Sequence, residues 1–199
     1  MNFLSPPIDI LLFTILLSVT QAALAENCYQ ASPNLVERNQ AYYDLDTVDN
    51  FSDVDQTNLD VLFNNMQGKW GGTLTTMACK GPDRAAQQVF KTATIQMQAL
   101  PQSNHQIRLV AKKYHVTEGI NHHEQFVLLP RSNVYDLNLK DGKQLIFSEK
   151  YRIRNVKDSS RLTEVIYDIQ LDQKQLSVNR HYYTNGVLTG AEYWSLEQH

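Results

Sequence analysis

The chain has 199 residues, 42% of them hydrophobic, with 18 basic and 21 acidic side chains and a formal charge of −3. That is the size of one domain with a sizeable core, and its basic residues are scattered among acids, which excludes a nucleic-acid-binding stripe. With no Walker loop, no dinucleotide fingerprint and no Gly-x-Ser-x-Gly elbow, the common nucleotide and serine-hydrolase sites are excluded as well.

Ile8 to Ala25 is almost wholly apolar and closes on Ala23-Leu24-Ala25, the small-x-small pattern cut by signal peptidase. Its unbroken apolar core, Ile10 to Leu17, is far shorter than the roughly 20 residues of a spanning helix. We therefore expect residues 1–25 to be a cleaved signal peptide and the protein to be exported, periplasmic or secreted, with no stable membrane span once the signal is gone. Removal leaves about 174 residues. Cys28 and Cys79 are the only cysteines, and in an oxidising compartment an even pair is most simply one disulfide. Closing a loop of about 50 residues is worth roughly 4 kcal/mol in the chain-entropy account.

Residues 26–66 read as a polar, partly helical arm. Asp44, Asp46, Asp49, Asp53, Asp55 and Asp60 accumulate there without the turn glycine and closing Glu of an EF-hand loop, so they read as solvating and capping residues. Asp53 or Asp55 is placed to cap a helix in which Leu59, Leu62, Phe63 and Met66 recur at i, i+3, i+4 and i+7. Such a helix would lie against the following domain or plug one end of it. Asn50-Phe51-Ser52 fits a glycosylation acceptor, relevant only in a eukaryotic host.

From Trp70 the apolar period becomes two, giving a β domain over 67–199. Strands are expected at about 69–79, 87–99, 105–117, 122–129, 133–139, 143–156, 161–171, 174–184 and 187–196. Asp141-Gly142 and Asn185-Gly186 are the strongest hairpin signals among the links. Thr163, Val165, Tyr167, Ile169 and Leu171 alternate with Glu164, Asp168 and Gln170, and Ile107, Leu109 and Ala111 with Arg108 and Lys112, so each strand is buried on one side. The fold expected is all-β with a short N-terminal helical arm, an antiparallel up-and-down meander that closes into a barrel to remove its edges; a two-sheet sandwich is the alternative. Gly71-Gly72 suggests a kink or bulge early in the first strand.

Met66-Gln67 leading into Gly68-Lys69-Trp70 at the head of the first strand resembles the lipocalin-like (calycin) superfamily. The resemblance implies a Trp packed across the closed end of a barrel and covered by an Arg from a late strand. Arg180, in phase with Leu176, Val178 and Tyr182, would then pair with Trp70. It also implies a cup for one small, largely apolar molecule, with Phe90, Tyr114, Phe126, Tyr135, Phe147, Tyr151, Tyr167 and Tyr182 as lining candidates.

Two constellations could carry other chemistry. His115, Gly119, His122, His123 and Glu124 hold metal-ligand types, with His115 opposite His122 or His123 in a hairpin; neighbouring histidines point to opposite faces, so an exposed cross-strand pair is the expectation and no metal is assigned. Glu164 and Glu192 could converge for acid–base work, but Arg180 one strand away favours a structural ion pair. No catalytic residue and no cofactor is assigned. The function expected is an exported, non-catalytic binding protein for a small hydrophobic molecule. The alternatives are an envelope interaction protein with a packed barrel or a small metal-binding protein or enzyme at the barrel mouth.

Overall fold

A computed structural model describes residues 27–34, 56–102, 106–115, 120–129, 134–154 and 160–199. The expected signal segment, Asn50 and the aspartates from Asp44 to Asp55 lie outside the described residues. No helix among the described residues is long and apolar enough to cross a membrane.

Helix α1 runs Gln56–Met66 and buries Leu59, Leu62, Phe63 and Met66, the stripe that the 3.6-residue period dictates. Each such side chain contributes roughly 2 kcal/mol when fully buried. Gln67 ends the helix, and Gly68, at φ 126°, turns the chain into the sheet. The Trp70 indole Nε1 then donates to the Met66 carbonyl at 2.8 Å, satisfying one of the acceptors that the helix end leaves open.

Nine strands follow: β1 Gly68–Lys80, β2 Gln87–Gln102, β3 Gln106–His115, β4 Ile120–Leu128, β5 Val134–Lys140, β6 Gln144–Arg154, β7 Ser160–Asp172, β8 Gln175–Thr184 and β9 Val187–Gln198. All described pairings are antiparallel, in the order β4-β3-β2-β1-β9-β8-β7-β6-β5. This is the chain order with β1 brought beside β9, which leaves the ends of the sheet at β4 and β5. The turns are local in origin. Asp141-Gly142 has φ of 52° and 62°, and Asn185-Gly186 of 50° and 78°, the left-handed pair that a tight hairpin needs.

The sheet is curled. In a flat sheet β4 and β8, five places apart in the strand order, would be separated by about 24 Å at the usual strand spacing. Arg180 on β8 instead bonds Glu124 on β4 at 2.5 Å, and Phe126 on β4 meets Trp194 on β9 with ring centroids 5.4 Å apart. The result is a half-barrel whose concave face buries Trp70, Leu74, Ile95, Met97, Ile107, Leu109, Phe147, Val178 and Trp194 in one cluster with the α1 stripe. The helix thus plugs the Trp70 end of the concavity.

Gly71 and Gly72 do not make a bulge. Register with β2 and β9 runs unbroken through both. The reason for glycine is proximity: a Cβ on Gly72 would lie 2.0 Å from the Ser195 carbonyl oxygen, so β9 can approach only where the side chain is missing.

The convex face carries its own cluster, Met77, Tyr183, Leu188 and Ala191. Residues 27–34 lie across it, bonded to β9 through Tyr29 N to Leu188 O at 2.9 Å and Leu188 N to Gln30 O at 2.8 Å. The Cys28–Cys79 disulfide, with Cα atoms 5.5 Å apart, ties this segment to the end of β1.

Candidate functional site

Strand alternation sends residues of one parity into the concavity, and at the end away from α1 those residues are charged. Lys113 continues the inward row of Ile107, Leu109 and Ala111 on β3; Glu124 on β4, opposite Ala111, shares that face one pair along; Arg180 continues Leu176 and Val178 on β8; Glu192 lies opposite Arg180 on β9. Arg180 is only 5% exposed. Its Nε donates to Glu192 Oε2 at 3.0 Å, and its Nη2 bonds both Glu192 Oε2 and Glu124 Oε1. Lys113 bonds Glu124 and reaches Glu192 Oε1 at 3.4 Å. Two cations and two carboxylates therefore balance one another, which is the condition for keeping such charges out of water.

Aromatic rings surround the network. The Arg180 guanidinium carbon lies 4.3 Å from the Phe126 centroid, 5.2 Å from Trp194 and 5.7 Å from Tyr182, and Lys113 Nζ is 5.4 Å from Trp194. Trp194 Nε1 donates to Glu192 Oε2 at 3.1 Å. Burial opposes the Arg180 charge, but Glu192, Tyr182 and Glu124 outweigh it and hold its pKa above the ordinary value. Burial likewise opposes ionisation of Glu124, and Arg180 and Lys113 prevail, keeping that carboxyl below its usual range.

Next to the network on β6, in phase with the buried Leu145 and Phe147, stands Glu149. Its Oε2 accepts from the Tyr167 hydroxyl at 3.3 Å, while Oε1 is buried with no hydrogen-bond partner among the described residues. Burial pushes this carboxyl up to about 7, against the Tyr167 hydrogen bond and the Arg180 charge. Burial, reinforced by Glu149, raises Tyr151 and Tyr167 above the ordinary tyrosine value. Phe147 stacks on Tyr167 with centroids 4.4 Å apart.

The structure sorts the expected lining residues. Phe147 and Tyr167 are buried on the concave face, Phe126 and Tyr182 are half-buried there, and Tyr151 stands beside them 37% exposed. Phe90 is on the other side: it pairs with Met77 on the convex face and is 56% exposed, because its parity is opposite to that of the inward Ala93 and Ile95. The side chains of Tyr114 and Tyr135 lie outside the described residues.

The expected Trp70–Arg180 pair does not form. Trp70 is opposite Gln198 and Arg180 opposite Glu192 on the same strand β9, six positions or about 20 Å apart along it. Trp70 is covered by α1, and Arg180 packs instead on Phe126 and Trp194.

Glu164 and Glu192 do not converge either. Glu164 faces outward, 6% exposed beneath residues 27–34, where Ser32 Oγ and Asn34 Nδ2 donate to it at 2.6 and 3.2 Å and Lys150 lies at 3.8 Å. The β3–β4 register pairs His115 with Ile120, Lys113 with His122 and Lys112 with His123, so neither histidine of β4 is directly opposite His115, and the side chains of His115 and His122 lie outside the described residues. Among the described residues no three His, Cys, Asp or Glu side chains form a metal-binding group.

Sequence reasoning does not reach Lys113 and Glu149, although a parity signal exists for both. Each extends an apolar alternation by one step, which hydrophobicity alone reads as the end of the buried row. A third feature is an open groove of about 390 Å³ over β1–β3, lined by Lys69, Trp70, Gln96, Met97, Lys112 and His199 among others. No family model matches the chain, and no curated protein matches it in sequence.

Proposed function

We propose that the chain is an exported, non-catalytic binding protein of lipocalin-like architecture that holds a small, largely apolar molecule in its concave face. The observation that carries this reading is the contrast between the two ends of that face. At the α1 end the side chains are fully buried; at the other end Phe126, Tyr182 and Tyr151 point to the same side and remain half-buried or exposed. A plugged base and an open aromatic mouth make a cup, the usual geometry for a small-molecule site. Export fits the Cys28–Cys79 disulfide, a bond that persists in oxidising compartments.

Native mass spectrometry of the protein purified from an exporting host, followed by organic extraction, tests the reading. A retained mass of a few hundred daltons that is lost on unfolding is the expected result. An apo mass, with no binding of apolar probes in titration, rejects it. The second reading, an interaction protein acting through its surface, draws on Phe90, an exposed large aromatic on the convex face. Under that reading Phe90→Ser abolishes partner capture and leaves small-molecule titrations unchanged.

A further inference from the structure

The polar groups of the cup restrict which apolar molecule it can take, and this step rests on the binding reading above. Lys113, Arg180, Glu124 and Glu192 neutralise one another within the cup. An anionic head group, such as a fatty-acid carboxylate, would have to pull a cation away from Glu124 or Glu192 and leave a buried carboxylate uncompensated. Breaking a buried pair in this way is costly. The network therefore offers no spare cation.

Glu149 is different. One oxygen is held by Tyr167, and the other, Oε1, is buried and has no donor among the described residues. A buried acceptor without a donor is costly, and a ligand supplying the donor recovers that cost. The surroundings select the kind of donor. Tyr167 bonds Glu149 directly, Tyr151 lies two residues along the same face, and the π faces of such rings attract cations. Tyr151 is 37% exposed, so this corner of the cup opens to solvent. Arg180, the cation felt at Glu149, already has its charge met by Glu192 and Glu124.

We propose that the cup accepts an apolar molecule bearing a protonated amine, with the ammonium seated on Glu149 Oε1 beside the Tyr151 and Tyr167 rings and the apolar part against the half-buried Phe126 and Tyr182. Glu149 is then the residue that determines head-group specificity. The ionic network next to it is the structural wall that rejects carboxylates.

Calorimetric titration of the full chain with decylamine, decanol and decanoate at pH 8, repeated on Glu149→Gln, tests this. Decylamine is expected to bind at least roughly tenfold tighter than decanoate, and Glu149→Gln to lose about tenfold toward decylamine while decanol is unchanged. If decanoate binds as tightly as decylamine, or the substitution leaves decylamine affinity intact, the amine assignment is overturned while the binding reading stands. If none of the three probes binds, the binding reading itself falls and takes this inference with it.

Discussion

Trp194 donates its indole N–H to Glu192 Oε2 at 3.1 Å, the same oxygen that accepts from Arg180 Nε at 3.0 Å. One carboxylate oxygen on β9 therefore anchors both the aromatic wall and the buried guanidinium, and the guanidinium reaches across the concavity to Glu124 on β4. The curl of the sheet and the neutrality of its interior are thus one arrangement.

Removing Glu192 should expose that dependence. In Glu192→Ala, Lys113 and Arg180 keep only Glu124 between them, leaving one buried positive charge uncompensated. We expect a loss of about 3–5 kcal/mol in urea denaturation. An effect below about 1 kcal/mol, the range of exposed pairs, would show that the network is solvated in solution.

The approach of β9 to β1 predicts a contrast between two glycines. Gly72→Ala drives a methyl group to 2.0 Å from the Ser195 carbonyl oxygen, a backbone atom that cannot rotate away, and should cost about 1–3 kcal/mol or more. Gly142→Ala meets nothing within 4 Å and carries only the strain of φ 62°, about 1 kcal/mol. Thermal melts of the two variants under one buffer would rank them, and a larger loss at Gly142 would contradict the strand packing described.

Stability should also depend on pH through Glu149. Its folded carboxyl titrates at about 7, above the ordinary 4.5, so the native state binds the proton more tightly than the unfolded chain. The stabilisation is fully present below about 4.5 and is lost as pH rises through about 7, because ionisation then places a charge in a desolvated site. Glu149→Gln should remove this slope between those values. Denaturant midpoints across pH 4–8 would reveal it, and an unchanged slope in the variant would assign the effect to another group.

Reduction gives a test on the convex face. Cys28→Ser with Cys79→Ser opens a closed loop spanning 51 positions and should cost about 2–5 kcal/mol. Residues 27–34 also shield Glu164. Release of this segment should therefore raise hydrogen exchange at Leu188, whose amide bonds Gln30.

The sequence by itself determined what local physics controls. The α1 stripe follows from spacing, the Asp141-Gly142 and Asn185-Gly186 turns from residues that tolerate positive φ, and the strands from period-two alternation; even the disulfide follows from having only two cysteines. It also marked Arg180 as an inward charge in need of a partner. Only the tertiary structure decided which partner. Sequence parity places a side chain on a face, but strand order, register and curl decide what stands opposite it, and those depend on pairings far apart in the chain. Trp70 and Arg180, joined by resemblance, are thus held apart by the β9 register, whereas Lys113, Glu124, Arg180 and Glu192 meet because the sheet bends β3 and β4 over β8 and β9. Glu149 shows the same limit: its position on β6 is legible, but its missing hydrogen-bond donor emerges only once its neighbours are in place.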